Sequence, residues 1–396
     1  MKILHVVSSC GRNLGGTSEV VPRLARAQKE IGHDVALAAF ASEQLSHEAE
    51  RAQAAGVRFQ LVDLCSHLPM LSTWGYSAIF ARAIRPLVAE ADIVHLHGLW
   101  QYPAFAAARL CWQLKKPYVV MPHGFLEPER LKISSLKKKI AGAFFDNRML
   151  RRATALVATS ESEAKGIRAY GLTQPIHIMP IGLDVANFNR GCRSESSGGR
   201  TLLYFSRITP IKGLDLLAEA WAKVVKPGWK LLLVGPDDRG HTGLMKRLYA
   251  ERCAKGSYEF REPVYGDAKY ALLGSVDGFV LPTRSENWSI AVAEAMASGL
   301  PVVCTKGAPW ACLETAGAGW WVDVSAEAIG EGLEKLMALS DDARAEMGTK
   351  GRRWVEENLD WRAIAAQMVR GYRGERGSGG ERSSGDERGA LGEGLR

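Results

Sequence analysis

The chain has 396 residues, 46% of them hydrophobic and 24% charged, with a formal net charge of +8. That length can bury two sizeable cores, so two domains are the default expectation. Seven cysteines without CxxC spacing exclude a disulfide framework and a zinc ribbon and fit a reducing compartment. In chain order, the opening "MKILHVV" reads as a buried strand beginning at residue 2, which leaves no room for a signal peptide. Nor does any apolar run approach the roughly 20 residues that span a bilayer, so a cytoplasmic location is expected. Further strands are expected near 34–40, 57–62, 92–97, 117–122, 155–159 and 176–181, with helices near 17–31, 76–90, 101–114 and 161–170. Gly32 suits the C-cap of the first of these helices.

"NRGCRSESSGGR" (189–200) then breaks the pattern with glycine, serine and charge, and reads as a linker. The rhythm restarts at "TLLYFSR" (201–207) and continues through "WKLLLVG", "YEFRE", "GFVLPT", "PVVCT" and "GWWVD". Short apolar strands alternating with amphipathic stretches are the signature of parallel α/β sheets, here in two similar Rossmann-like halves. Helices follow Asp323, the last being "DWRAIAAQMVRGYR" (360–373), and the final Gly-, Ser- and charge-rich residues should be disordered. Open parallel sheets bind ligands outside the carboxyl ends of their strands, so the cleft between the halves is where a site should lie.

The informative motifs sit just after strands. "SSCGRNLGGTSEV" follows the first strand and enters a helix. Gly15 and Gly16 let a ligand approach the backbone there, and a plain tight turn fits the pair equally. It is not GxGxxG, so a dinucleotide fingerprint is absent. In "SRITPIKG", Arg207 and Lys212 suit a polyanion, one as a fork and one as a point charge. The alternative, two solvated cations, is weakened because cations oppose the dipole at a helix start. "LPTRSENWSIAVAEAMASGLPVVCT" (281–305) holds Glu286 in a polar turn and Glu294 inside a small-residue helix. A helix starting near Ser289 can offer its first amides to a diphosphate without a metal, with Ser289 a favoured N-cap. Glu286 precedes those amides and Glu294 lies roughly 8 Å further along the axis, and carboxylates accept hydrogen bonds from sugar hydroxyls on either side of such a diphosphate.

The spacing of Glu286 and Glu294 followed by "AMASGLPVV" resembles the signature of retaining glycosyltransferases of family 4. So do "LGGTSEVVPRLARAQKEIGHDV", "HGLW", "MPHGF", "TSESEAKGI", "SRITPIKGLDLLAEAW", "LLLVGP" and "TKGAPW…GWWVD", in the expected order from residue 1 to about 373. The resemblance implies the α/β GT-B fold, two Rossmann-like domains facing across a cleft. Residues 1–185 would form the acceptor-binding domain and 186–358 the nucleotide-sugar-binding domain. A helix at 359–373 would cross back to the first domain, leaving a disordered tail at 374–396. It also implies roles. Glu286 would contact the transferred sugar and Glu294 the ribose. Arg207 and Lys212 would hold the diphosphate with the amides of Trp288, Ser289 and Ile290. His123 would lie beside the donor sugar, and Val264 and Lys269 match positions that contact the base. The common "EGFG" appears as "ENWS", so the side chains of Asn287, Trp288 and Ser289 should narrow the pocket.

Both glutamates are expected on one side of the donor, which suits binding better than the paired attack of a retaining hydrolase. The expectation is front-face transfer from a UDP- or GDP-sugar to a glycan or lipid-linked acceptor, with no cofactor and no metal, as in surface-polysaccharide assembly (lipopolysaccharide, O-antigen or exopolysaccharide). A nucleotide-sugar epimerase and a non-catalytic binding homologue are the alternatives. His123 fits a structural hydrogen-bond partner as well as a functional group. His95 and His97 share a strand face, and no further motif places a metal donor beside them, so strand-end histidines lining the cleft are expected. The segment 130–152 carries eight basic residues against Asp146 alone, with Leu136, Ile140 and Phe144 at helical spacing. A core-facing stripe with a solvated back would explain it, but the charge concentration favours an anionic membrane surface on the inner face of the membrane. No nucleic-acid recognition module is present.

Overall fold

A computed structural model describes residues 1–12, 16–64, 76–77, 79–126, 146–188 and 199–375. The first lobe runs β1 (Lys2–Ser9), α1 (Gly16–Glu30), β2 (Asp34–Phe40), α2 (His47–Ala54), β3 (Arg58–Val62), α3 (Phe80–Glu90), β4 (Ile93–His97), α4 (Tyr102–Leu114), β5 (Tyr118–Met121), α5 (Asn147–Arg152), β6 (Ala155–Ala158), α6 (Glu161–Ala169) and β7 (Ile176–Ile178). The second runs β8 (Arg200–Phe205), α7 (Leu214–Val224), β9 (Trp229–Val234), α8 (His241–Arg252), β10 (Tyr258–Arg261), α9 (Asp267–Gly274), β11 (Gly278–Leu281), α10 (Ile290–Ala297), β12 (Val302–Thr305), α11 (Cys312–Thr315), β13 (Gly319–Val322), α12 (Ala326–Ala338), α13 (Asp341–Asn358) and α14 (Trp361–Tyr372).

Two parallel sheets result, ordered β3-β2-β1-β4-β5-β6-β7 and β10-β9-β8-β11-β12-β13. The central strands are buried on both faces, β12 as VVCT throughout, because helices cover a parallel sheet on each side. In each sheet the strand order reverses direction once, between β1 and β4 and between β8 and β11, and the crevice at that reversal is where such folds take ligands. The last helix leaves the second lobe and packs on the first. Leu183 N donates to Leu359 O at 2.8 Å, and Gly182 is flat against the Trp361 ring, where a Cβ would lie 2.4 Å from it. No helix among the described residues is long and apolar enough to cross a membrane.

Two helical details depart from expectation. The helix expected at 76–90 begins at Phe80. The α2 helix was not anticipated, because its sequence HEAERAQA has almost no apolar stripe. It folds because Ser46 caps it, accepting from Ala49 N at 3.2 Å, and because buried Glu48 pairs with Arg23 at 3.3 Å. Of the basic segment, 130–145, with Leu136, Ile140 and Phe144, lies outside the described residues, as do Gly15, the linker residues 189–198 and 376–396. In the part that is described, Met149 and Leu150 are buried while Arg148, Arg151 and Arg152 are exposed, the Arg148 and Arg152 guanidinium groups lying 5.0 and 5.2 Å from the Trp112 ring.

Candidate active site between the two lobes

In the second lobe, three strand-end loops are tied together. After β8 the chain makes one 3-10 turn, Pro210–Lys212, and leaves through Gly213 at φ 68°. A Cβ at Gly213 would sit 2.1 Å from the Pro282 carbonyl oxygen, so only glycine lets this loop meet the one after β11. Arg284 N and Thr283 Oγ1 then both donate to Ile211 O, at 2.8 and 3.2 Å. This seam places the Lys212 ammonium on the Glu286 carboxylate, both side chains largely buried. The loop after β12 supports Glu286 from behind, its amide donating to Gly307 O at 2.7 Å. The Arg207 side chain is exposed at the end of β8.

Helix α10 starts beside this ion pair, and its first amides have no partner within the helix. Ser289 occupies the cap position, but not as expected. Its φ of 71° and ψ of 87° are left-handed, and its hydroxyl makes no capping bond. The backbone there asks for glycine, which is what the family pattern carries. Trp288 is also a correction. Its ring does not narrow the cleft but turns into the core, 9% exposed and 4.9 Å from the Trp310 ring, whose Nε1 donates to Trp288 O. Ile290 opens the helix, half-buried. Glu294, one turn further in and 5% exposed, is bound by Lys269 Nζ at 2.6 Å. Both acids of the motif are thus held by a lysine.

Val264 is half-buried against the second lobe's core, in the loop after β10. Beside it a cavity of about 380 Å³ opens at the ends of β9 and β10, lined by Gly235, Lys246, Phe260, Arg261 and Glu262 among others.

The first lobe brings His123, at the end of β5, to the same cleft. His123 has φ 56° and Gly124 φ 76°, so the "PHGF" loop turns sharply. A Cβ on Gly124 would lie 2.7 Å from the Asn287 Cβ, and Ser160 Oγ donates to Asn287 O at 3.4 Å. The loop after β5, the start of α6 and the "ENWS" turn therefore meet across the lobes. Glu163, 1% exposed, holds the first two. One oxygen accepts from Gly124 N, and the other accepts from Thr159 N and Oγ1 at 2.7 and 2.8 Å. Glu163 lies within "TSESEAKGI", and its sequence signal is an acid three residues after a capping serine. Gly16 begins α1 with open space where a Cβ would stand.

The histidines do not line the cleft as expected. His95 and His97 are buried at 0% and 3% exposure, stacked 4.1 Å apart, and only His123 is partly open. His5, in β1, was missed as their companion; its ligand atom and those of His95 and His97 lie within 4.8 Å of one another. Hydrogen bonds already occupy both nitrogens of His5 and of His97. Burial pushes His5 and His123 down to about 4, and His95 and His97 well below the ordinary 6.5, so all four are neutral at pH 7.

Two doubly wound lobes whose sheet reversals face one cleft define the GT-B architecture of nucleotide-sugar-dependent transferases. Residues 15–182 match the glycosyl transferase 4-like domain and residues 189–354 the glycosyl transferases group 1, and the chain belongs to the family 4 GT-B glycosyltransferases. It is 25% identical over 394 residues to the GDP-mannose:cellobiosyl-diphosphopolyprenol alpha-mannosyltransferase of Xanthomonas campestris, covering 94% of this chain and 96% of the relative. It is 24% identical over 327 residues to the D-rhamnosyltransferase WbpZ of Pseudomonas aeruginosa, covering 77% and 78%. The Anabaena HepE structure in complex with UDP and glucose shares the fold with a TM-score of 0.74 at 17% identity, covering 94% of this chain and all of that one.

Proposed function

We propose that the protein is a retaining, metal-independent glycosyltransferase that moves a sugar from a UDP- or GDP-sugar to a hydroxyl of a glycan or lipid-linked acceptor in surface-polysaccharide biosynthesis, working at the inner face of the membrane. The observation that carries this reading is the pair of lysine-held acids, Lys212–Glu286 and Lys269–Glu294, flanking the start of α10 opposite the His123 loop. A helix start beside a lysine is a site for an anion, and acids on both sides of it suit hydroxyls. The Xanthomonas relative, named for a GDP-sugar donor and a diphosphopolyprenol acceptor, supports the donor and acceptor classes.

In this reading the donor's diphosphate lies over the α10 amides of Trp288, Ser289 and Ile290 and takes the Lys212 ammonium from Glu286. Glu286 is then free for the transferred sugar's hydroxyls. Arg207 swings onto the outer phosphate oxygens, Glu294 accepts from the ribose, Val264 packs on the base, and Gly15 and Gly16 admit the diphosphate against α1. The anomeric carbon–phosphate bond breaks as the acceptor oxygen bonds to the same face. The acceptor's proton passes to the departing phosphate oxygen, whose charge Lys212, Arg207 and the helix start stabilise. Asn287, which touches Gly124, bounds the sugar from the second lobe.

The test is incubation with a panel of nucleotide-sugars, with and without a polyprenyl-diphosphate glycan. Nucleoside diphosphate release is followed with chelator present, and the product's anomeric configuration is read by NMR. Acceptor-dependent release and retained configuration are expected. Inversion, or loss of release on chelation, refutes the mechanism, and a free nucleotide-sugar with altered stereochemistry identifies an epimerase instead.

A further inference from the structure

Behind His123 runs a buried chain of hydrogen bonds that the reaction scheme leaves unused. His123 Nε2 meets His97 Nδ1 at 3.0 Å, and His97 Nε2 meets His5 Nδ1 at 2.9 Å. His5 Nε2 meets Gln28 Oε1 at 2.7 Å. On its other side the Gln28 amide donates from Nε2 to the Tyr372 hydroxyl at 3.2 Å, and that hydroxyl meets His95 Nδ1 at 2.7 Å. The chain begins at the cleft, passes through Tyr372 on α14, the helix that crosses between the lobes, and ends at His95 in β4.

Its direction follows from the orientation of the Gln28 amide, whose oxygen faces His5 and whose nitrogen faces Tyr372. An amide oxygen can only accept, so His5 carries its proton on Nε2. A neutral imidazole has a single N–H, so His5 Nδ1 accepts and His97 must donate from Nε2. By the same step His97 Nδ1 accepts and His123 donates from Nε2. On the other arm the Tyr372 oxygen accepts from Gln28 and its proton goes to His95 Nδ1, which leaves the His95 proton on Nε2. That Nε2 is buried without a partner among the described residues. Reversing any one bond would require reversing all of them and turning the amide.

We propose that Gln28 and Tyr372 are positioning residues that lock His123 in the Nε2–H tautomer, so that it presents Nδ1 to the cleft as a hydrogen-bond acceptor for a hydroxyl of the donor sugar. The role given to that hydroxyl rests on the function proposed above; the tautomer does not. His123 Nδ1 forms no hydrogen bond among the described residues and is not sealed from solvent. Three linked imidazoles transmit the setting because each neutral ring converts an acceptor on one side into a donor on the other.

Long-range proton–nitrogen correlation spectra of the full chain labelled at histidine, with His123 assigned from a His123→Gln sample, read the tautomer without any substrate. The wild-type spectrum should show His123, His97 and His5 protonated on Nε2. In Gln28→Leu the amide that sets the direction is gone, both directions become populated, and the two His123 nitrogen resonances should move toward each other. Tyr372→Phe removes the outer hydrogen bond of the amide together with the bond to His95 and should produce a smaller shift of the same sense; it decides the matter if Gln28→Leu does not fold. His123 protonated on Nδ1 in the wild type, or His123 resonances unchanged in the folded variants, overturns the proposal. So does stoichiometric zinc held by the purified chain, because ligation would claim the lone pairs that these bonds use. A chain with the expected tautomer and no sugar transfer would instead refute the proposed function alone.

Discussion

Replacing Lys212 by alanine separates an electrostatic role at the leaving group from a structural one. In the ligand-free chain the Lys212 ammonium rests on Glu286, with side-chain exposures of 13% and 20%. At ~4 Å and an effective dielectric of about 20, a unit charge pair is worth ~4 kcal/mol, so a diphosphate carrying more charge than one carboxylate can draw the lysine away. Deleting a donor aimed at developing negative charge costs about 10²–10³ in turnover, or roughly 3–4 kcal/mol. Lys212→Ala should therefore depress turnover at saturating donor by about that factor, measured as nucleoside diphosphate release. A competing explanation is that Lys212 only neutralises Glu286, whose bare carboxylate would repel the diphosphate. The double variant Lys212→Ala/Glu286→Gln, compared with Glu286→Gln alone, decides between them, since both lack that repulsion and they differ only in the cation. Activity in the double variant equal to that of Glu286→Gln, or a loss of less than about tenfold in Lys212→Ala, refutes the leaving-group role.

Ser289→Gly should raise stability by about 1 kcal/mol, because φ 71° costs a serine that a glycine does not bear; a melting midpoint lower than wild type would contradict this. Glu163→Gln puts an amide donor against either Gly124 N–H or Thr159 N–H, and should cost about 2 kcal/mol in a denaturant titration and weaken donor binding through the His123 loop. Stability should also fall with acid. The native His5 stays neutral down to about 4 while the unfolded one gains its proton near 6.5, so the unfolded chain binds more protons between these values. His5 alone then removes about 2 kcal/mol between pH 7.5 and pH 5, and a flat urea midpoint over that window would refute it.

The strands were readable because parallel strands under two helical layers are continuous apolar runs, and turn residues bound each one. The helix at His47–Ala54 was not, since a buried Glu48 paired with Arg23 leaves no apolar stripe to count. At the site, motif order brought Lys212, Glu286, Asn287 and His123 to strand ends, which is information local to each segment. What each side chain does there is decided by residues far away in sequence. The Trp288 ring leaves the cleft because Trp310, 22 positions on, offers it a buried face and a donor for its carbonyl. The Ser289 hydroxyl fails to cap because the turn from Asn287 into α10 demands a left-handed residue, and a side-chain preference says nothing about a φ imposed by neighbouring loops.

His5 is the sharpest instance. One polar residue in "ILHVV" reads as a fluctuation in an apolar strand, and nothing nearby supplies a partner. Its partners come from β4 and α1, joined only when β1 pairs directly with β4 at the sheet's reversal, His5 opposite His95. The strand order that creates the ligand crevice thus also creates the histidine chain beneath it. A substitution that shifted the β1–β4 register by one residue would turn His5 to the other face and break the chain while leaving the loops above it intact in sequence. The crevice and its buried support are therefore two consequences of one strand pairing, which is why the motifs alone revealed the first and concealed the second.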